Sequence, residues 1–203
     1  MKKLLMVTGI LALTCGLLIG CGGGGKQITR MDPETVTDLS GKWNDTDSRL
    51  VAEEMISDCL SRPWLTNFAA ENGKKPVVTV GWIRNNSSEH IDSEVFTKDF
   101  ERELINSAQV RFVAAKDYRA ELREERSEQA EFASPETVKK MRNELGADFL
   151  LQGSIKSIVD QEGGKRAIFY QTDLELVNIE TMEKVWIGSK EIKKGISQGK
   201  TKW

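Results

Sequence analysis

The run Pro76-Val77-Val78-Thr79-Val80-Gly81-Trp82-Ile83 constrains the fold of this chain more than any other segment. It is nearly continuous in apolar and β-branched residues, which is typical of a strand that is covered on both faces. A strand of this kind needs neighbouring strands on its flanks and helices over its faces. We therefore predict that this segment is a central strand.

Five segments have the periodicity of amphipathic helices. In the first, Val51, Met55 and Cys59 recur at every fourth residue, which predicts that Cys59 is buried. In the last, Leu145 is expected to face inward. The first predicted helix starts near Asp45–Ser48 and ends before Pro63, and the second covers Trp64–Glu71. The third starts at Ser93 and has the apolar stripe Phe96, Phe100 and Leu104. The fourth covers Asp117–Glu131, and the fifth covers Pro135–Leu145, with Val138 and Met141 on its inner face.

Further strands are predicted at Val110–Ala114, Phe149–Val159, Ile168–Val177 and Val185–Ile187. The third of these alternates between apolar and polar residues, as expected for a strand with one buried face. Helices alternate with strands in the first part of the chain, and strands follow one another directly at its end. This order predicts a single layered domain of α+β or α/β type, with a mixed sheet and helices packed against it.

The N-terminus has the pattern of an export signal. Lys2 and Lys3 precede an apolar run that extends to Ile19, and the small residue Gly20 precedes Cys21. This pattern predicts a lipoprotein signal peptide over residues 1–20 and a lipid on Cys21. A transmembrane anchor is the alternative, but the run is interrupted by threonines and glycines and is shorter than the ~18–20 apolar residues that span a bilayer.

The residues after the lipidated cysteine indicate where the protein is anchored. Bacterial sorting holds back lipoproteins with Asp after the lipidated cysteine, whereas this chain has Gly22. We therefore predict the outer membrane, with the protein on its periplasmic face. In residues 21–40, Cys21 is followed by four glycines and then by polar residues, which predicts a short flexible leash. The globular domain is predicted to cover residues 41–203.

Charge and cysteine content exclude several functions. The chain has 29 basic and 31 acidic residues, and the predicted loss of Lys2 and Lys3 leaves the mature protein more acidic still. Such a balance gives no general attraction to nucleic acid or to anionic lipid. Besides Cys21, the mature chain has only Cys59, so the domain cannot form an intramolecular disulfide.

Catalytic and metal-binding motifs are few. The chain has one histidine, His90, and no Cys-x-x-Cys pair, G-x-S-x-G, phosphate-binding loop or H-E-x-x-H pattern. Glu89, His90 and Asp92 lie in a polar loop after the central strand, where α/β proteins often bind ligands. Acid–base catalysis by these three residues is one hypothesis, and a solvated loop is the favoured one. We therefore predict no catalytic residues, metal or cofactor.

Glycine and tryptophan residues in the apolar segments have two interpretations each. Gly81 permits either the approach of a phosphate or close packing of a helix. Trp43, Trp64, Trp82 and Trp186 lie in or beside apolar segments, so core burial is favoured over a ligand platform.

The predicted helix Asp117–Glu131 has an unusual charge distribution. Arg119, Arg123 and Arg126 fall within about 60° of each other on a helical wheel, while its glutamates gather on the opposite side. Neighbouring like charges destabilise an isolated helix, so this arginine ridge is expected to be compensated. Either carboxylates of the same chain pair with it, or a partner protein presents acidic groups to it.

Several short motifs together resemble a known family. The resemblance covers Leu39–Lys194, and its more specific parts are Trp43-Asn44-Asp45-Thr46-Asp47 and Ala147-Asp148-Phe149. Its other parts are Leu39–Lys42, Ser48, Pro76-Val77-Val78, Gly81, Arg84-Asn85, Glu89-His90-Ile91-Asp92, Gly146 and Gly153-Ser154-Ile155. In these segments the chain resembles the LpoB family of penicillin-binding protein activators.

The resemblance implies a function without chemistry of its own. It implies an outer-membrane lipoprotein that reaches through the cell wall, binds a periplasmic domain of a bifunctional class A penicillin-binding protein, and stimulates glycan polymerisation and peptide cross-linking. The implied fold is α+β, with a small mixed sheet flanked by helices, similar to the N-terminal domain of TolB. The alternative is a structural or secretion-associated envelope lipoprotein, because the curli-pore lipoprotein family has a similar domain.

Overall fold

A computed structural model describes residues 28–134, 136 and 144–197. The predicted signal peptide, Cys21, Trp203 and most of the predicted helix Pro135–Leu145 lie outside the described residues. The chain divides into two units, residues 1–35 and 36–203. In the first, residues 32–35 form a turn in which the Thr35 N–H donates to the Asp32 carbonyl at 2.9 Å.

The second unit contains helices and strands in the order that the sequence predicts. The described residues form the helices α1 (Asp45–Ser61), α2 (Pro63–Asn72), α3 (Ser93–Asn106) and α4 (Lys116–Phe132), and the strands β1 (Val77–Asn86), β2 (Arg111–Phe112), β3 (Phe149–Glu162), β4 (Lys165–Asn178) and β5 (Lys184–Ser197). No helix among them is long and apolar enough to cross a membrane.

Local sequence signals explain where the first two helices begin. The side chain of Asn44 accepts a hydrogen bond from the Asp47 N–H at 3.1 Å, and the Asp47 carboxylate accepts one from the Asn44 N–H at 3.0 Å. This reciprocal capping box satisfies two N–H groups that have no partner within the helix. Pro63 occupies the first turn of α2, where its missing N–H has no cost.

The five strands form one mixed sheet in the order β2-β1-β3-β4-β5. β1 pairs in parallel with β2 and β3, whereas β4 is antiparallel to both of its neighbours, β3 and β5. The predicted α+β class is therefore confirmed. β1 lies inside the sheet as predicted, although β3 is its middle strand, because the last three strands extend the sheet on one side.

The core lies between one face of the sheet and the helices. α1 packs against α3 and β5, and α3 packs against β1. Phe96 and Phe100 are fully buried, with ring centroids 4.5 Å apart. Cys59 is buried as predicted, and burial raises the pKa of its thiol to about 12. The sheet contributes the buried side chains Val78, Val80, Ile83, Phe149, Leu151, Ile155, Ile168, Tyr170, Leu174, Leu176 and Trp186.

Two sequence predictions fail at the edge of this core. β1 is buried on both faces only over Val77–Val80, and beyond this point its residues alternate between buried and exposed. Leu145, predicted to face inward from a helix, is exposed and is not in a helix. In both places the local pattern of apolar residues predicts more burial than the structure has. Such a pattern does not show whether another helix or strand covers a given residue.

The segment before α1 is tied to β5. The ammonium group of Lys194 lies 2.6 Å from carboxylate oxygens of both Asp38 and Asp47, and it also donates to the Lys42 carbonyl at 3.1 Å. Although burial opposes it, hydrogen bonds to Asp38 and Asp47 raise the pKa of Lys194. Asp38 lies in the segment assigned above to the leash, so these contacts join the end of that segment to the folded unit.

Candidate functional site

A β-bulge in β1 turns Trp82 away from the core. Val80 pairs with Leu151 and Ile83 pairs with Gly153, so Gly81 and Trp82 together lie opposite the single intervening residue of β3. A bulge of this kind changes the direction of a side chain without ending the strand. The Trp82 side chain therefore lies on the face of the sheet opposite the buried core.

Trp82 is consequently exposed, contrary to the prediction that the four tryptophans are core residues. Its side chain is 77% exposed, whereas Trp64 is 7% and Trp186 6% exposed, and Trp43 is partly buried. The apolar run in which Trp82 lies does not indicate that its side chain is more exposed than those of the other tryptophans. The signal that could have revealed it is Gly81, because a glycine inside a strand often marks a bulge.

Trp82 and Ile187 border a cavity of about 600 Å³ on this face of the sheet. Ile187, on β5, is 69% exposed. The remaining lining residues come from β1, β3 and β4 and are mostly polar: Arg84, Asn86, Gln152, Gly153, Ser154, Lys156, Asp173, Leu174 and Glu175. We call this surface the Trp82 face.

Both carboxylates of the Trp82 face are paired within the protein. Lys156 donates to Asp173 at 2.9 Å. Glu175 accepts hydrogen bonds from Gln152 at 2.8 Å and lies 2.6 Å from the ammonium group of Lys184. These contacts lower the pKa of Glu175, with that of Lys184 the largest. These contacts fix the side chains of neighbouring strands, and each of the two carboxylates has a lysine partner.

Hydrogen bonds also hold Asp173 in its charged form. Burial alone would raise the pKa of its carboxyl, but hydrogen bonds from Gln171, Lys156 and Ser189 outweigh burial, so that the pKa lies below its ordinary value. The Gln171 and Ser189 bonds are both 2.8 Å long. Asp173 therefore accepts hydrogen bonds from three strands and is a structural centre of the Trp82 face.

A second groove adjoins the Trp82 face and shares Trp82 and Gln152 with it. It encloses about 590 Å³ between β1, β3, α3 and the first turn of α4. Its aromatic wall opposite Trp82 is Tyr118, whose hydroxyl donates to Glu94 at 3.1 Å. The ammonium group of Lys98 lies 4.3 Å from the centre of the Tyr118 ring and 2.7 Å from Glu101. Trp82 thus lines both of two adjoining concave surfaces.

Gly81 contributes to the floor of this groove by close packing. A Cβ atom at position 81 would lie 2.9 Å from Cδ1 of Leu150, closer than carbon atoms approach. The absence of a side chain at Gly81 therefore lets Leu150 lie against β1. Close packing therefore accounts for Gly81, but the packed element is the neighbouring strand β3 and not the helix that was expected.

Two cations around Trp82 have no carboxylate partner in the described part of the chain. They are Arg84 on β1 and Lys116 at the start of α4, whereas the charge of Arg119, one turn later, helps to lower the pKa of Glu144. The four carboxylates that line the two concavities, Glu94, Glu101, Asp173 and Glu175, all accept hydrogen bonds or ion pairs from neighbouring side chains. Among the described residues, Glu94 is bonded only to the neutral hydroxyl of Tyr118, but the residues that line the two concavities include five cations and four carboxylates, so the surface around Trp82 has a small excess of positive charge.

The arginine ridge extends from this groove along α4. Arg123 makes a bidentate contact with Glu144, with N–O distances of 2.7 and 2.8 Å, and Arg126 donates to the same carboxylate at 3.1 Å. The hydrogen bond from Arg123 is the main cause of a lowered pKa at Glu144. Arg119 lines the groove beside Trp82, so the ridge and the groove form one surface.

The polar loop after β1 has its carboxylates in structural positions. Glu89 accepts a hydrogen bond from the Trp43 N–H at 3.2 Å, and Asp92 caps α3 by accepting one from the Glu94 N–H at 2.9 Å. His90 is exposed. Among the residues that the structure describes, no group of three His, Cys, Asp or Glu side chains is arranged to hold a metal ion.

Comparison with known proteins gives one family match. The model of a family described as the peptidoglycan-synthase activator LpoB matches residues 47–192. This range begins in the first turn of α1 and ends within β5, so it includes the elements that build the Trp82 face. No curated protein sequence matches the chain significantly.

Solved structures of low sequence identity are also similar. The LpoB C-terminal domain from Salmonella enterica is 16% identical, with a TM-score of 0.34 over 67% of this chain and 94% of that chain. The corresponding domain from Escherichia coli is 18% identical, with a TM-score of 0.33 over 67% of this chain and 94% of that chain. Lipoprotein GNA1162 from Neisseria meningitidis is 13% identical, with a TM-score of 0.39 over 62% of this chain and 88% of that chain.

Proposed function

Because this chain belongs to the LpoB family of peptidoglycan-synthase activators, we propose that it binds a bifunctional class A penicillin-binding protein and stimulates its synthesis of peptidoglycan. The family match over residues 47–192 carries this proposal, since it includes nearly all of the described helices and strands. The family is one of activators rather than enzymes. The protein would therefore act by binding a periplasmic domain of the synthase.

The proposal includes the membrane in which the protein is anchored. Proteins of this family are envelope lipoproteins. Residues 1–20 would be removed as a signal peptide, the lipid on Cys21 would hold the protein in the outer membrane, and residues 21–40 would connect it to the globular domain at 41–203. Two or more acyl chains on one cysteine are sufficient for stable anchoring, because each buried methylene contributes about 0.8 kcal/mol.

Cys21→Ala is expected to abolish lipidation and leave uncleaved or incorrectly cleaved precursor, because the mutant has no thiol at the cleavage site. Metabolic labelling of cells with a fatty-acid probe measures this result. Cys15→Ala is the matched control and should keep the label, since bulkier Thr14 precedes Cys15. Equal labelling of wild type and Cys21→Ala would contradict the predicted lipidation site. Fractionation of the labelled envelopes then tests the outer-membrane assignment.

The activating role is tested with full-length lipoprotein and a class A penicillin-binding protein of the same organism, both in detergent micelles. The wild type is expected to bind the synthase and to raise its rates of glycan polymerisation and cross-linking on lipid-linked substrate. Failure to bind or stimulate any class A synthase of that organism would contradict the proposal. It would favour the alternative of a structural or secretion-associated envelope lipoprotein.

The arginine ridge is proposed as part of the binding surface. Arg123→Glu/Arg126→Glu is expected to raise the Kd for the synthase about tenfold, because reversed charges oppose acidic groups of the partner. The unfolding midpoint should change little, since exposed ion pairs such as those with Glu144 contribute only ~0–1 kcal/mol.

The control for the ridge is Lys165→Glu/Lys193→Glu, which makes the same change in net charge at exposed positions of β4 and β5. It should leave the Kd unchanged. If the ridge variant instead loses several kcal/mol of stability and binds normally once folded, its arginines serve the fold alone.

A further inference from the structure

We infer that the Trp82 face and the adjoining Tyr118 groove form the surface on which the synthase docks. Its occupant is an acidic segment of the synthase's periplasmic part that packs an apolar side chain against the Trp82 indole. This inference rests on the proposed function and assigns it a surface.

The position of Trp82 is that of an interface anchor. Its side chain is 77% exposed, although the same domain buries the side chains of Trp64 and Trp186. The exposure of Trp82 therefore results from the bulge, which turns this side chain away from the core. Tryptophans in the centre of interfaces provide a large share of binding energy. Because β1 pairs with β3 both before and after the bulge, at Val80 and at Ile83, the backbone that carries Trp82 is already ordered before docking.

The shape around Trp82 favours an extended protein segment. Trp82 lines both of two concavities, of about 600 and 590 Å³. Ile187 provides an exposed apolar boundary on β5, and Tyr118 provides an aromatic boundary on α4. A segment lying across the indole would contact both boundaries, which is the arrangement of an apolar centre with a polar rim.

The charge around Trp82 favours an acidic occupant. Arg84 and Lys116 have no carboxylate partner among the residues described, whereas three of the four carboxylates that line the two concavities, Glu101, Asp173 and Glu175, already have a lysine partner. A basic segment would be repelled by these two cations and would find only Glu94 without a cationic partner. An acidic segment would pair with these cations, and the arginine ridge would extend the same positive surface along α4.

The first measurement is the Kd of full-length lipoprotein for the synthase, both in detergent micelles. Trp82→Ala is expected to raise the Kd by ~30-fold or more, the effect of truncating a central interface tryptophan. Trp82→Phe should recover part of the affinity. Phe132→Ala is the matched control, because Phe132 is also an exposed aromatic residue but lies at the far end of α4. Its Kd should equal that of the wild type.

The second measurement tests the chemistry of the occupant. Arg84→Glu is expected to raise the Kd about tenfold at low salt, and the salt dependence of binding should weaken. Lys165→Glu makes the same charge change at the β3–β4 turn and should leave both quantities unchanged. Thermal unfolding of each variant should match the wild type, since each replaced side chain is exposed.

The outcomes separate this inference from the proposed function. If the wild type does not bind the synthase, both are overturned. If the wild type binds and stimulates while Trp82→Ala has the same Kd, only the docking surface is overturned. If Trp82→Ala keeps its affinity for the synthase but no longer sediments with isolated peptidoglycan, the surface binds glycan strands and the assignment to an acidic protein segment is wrong.

Discussion

Phe100→Ala is expected to lower the free energy of unfolding by about 3–5 kcal/mol, because it removes a fully buried ring and leaves a cavity. Phe100 lies on α3 between the helix layer and the sheet. Its ring contacts Phe96 edge to face with centroids 4.5 Å apart, so the neighbouring ring also loses contacts. Urea or guanidinium unfolding of the purified protein measures the change.

Ile105→Ala is the matched control on the same helix. Ile105 is 54% exposed, so its truncation should change the free energy of unfolding by less than about 1 kcal/mol. A similar change in the two variants would show that α3 does not bury its phenylalanine face. Since Phe96 is also fully buried, Phe96→Ala should resemble Phe100→Ala rather than the control.

Gly153→Ala is expected to destabilise the protein by about 3 kcal/mol or more, because strand β4 leaves no room for a side chain at this position. A Cβ atom on Gly153 would lie 2.1 Å from the Asp173 carbonyl oxygen and 3.0 Å from Cα of Leu174. Both contacts are with backbone atoms, which cannot move without separating β3 from β4. Reduced solubility and a lower unfolding midpoint measure this effect.

Gly195→Ala is the matched control for Gly153→Ala. Gly195 lies in β5, and a Cβ atom there would meet nothing within 4 Å. The substitution should be neutral or should stabilise the protein by about 0.4–1 kcal/mol, because alanine restricts the unfolded chain. If both variants unfold like the wild type, the close approach of β3 and β4 at Gly153 is wrong.

Residues with a strong local pattern behave as the sequence predicts. Cys59 and the stripe Phe96, Phe100 and Leu104 are buried, and their helices begin and end near the predicted residues. Helix capping and apolar periodicity involve residues within one or two turns of each other, so a short segment of the sequence is sufficient to recognise them. The alternation from Ile168 to Leu176 likewise predicts the buried face of β4.

Trp82 shows where such patterns fail. It lies in the most apolar segment of the chain, yet the bulge opposite β3 places it on the exposed face. The position of a bulge depends on the register of two strands that are about 70 residues apart in sequence, and local composition carries little information on that register. The candidate docking surface was therefore missed, apart from Arg119 at its edge.

The arginine ridge was predicted from its helical spacing, and pairing with carboxylates of the same chain was one of the two alternatives, but the sequence did not identify Glu144 as the partner. Glu144 follows α4 after an intervening segment, and only the folded chain brings its carboxylate to Arg123 and Arg126. The same holds for Lys194, whose two acidic partners Asp38 and Asp47 lie before and within α1. Ion pairs of this kind depend on how elements that are distant in sequence are placed in the fold. The charge composition of the chain does not predict this placement.

The amino-acid sequence by itself determined the helices α1 to α4, the one-sided strand β4, the α+β order of elements and the family, because each depends on short segments whose residues interact locally. The tertiary structure alone decided which face of the sheet is covered, and therefore that Trp82 is exposed between Arg84 and the Tyr118 groove. Coverage depends on the packing of elements far apart in the chain. A surface built from β1, β3, β4, β5 and α4 exists only after these elements have paired and packed.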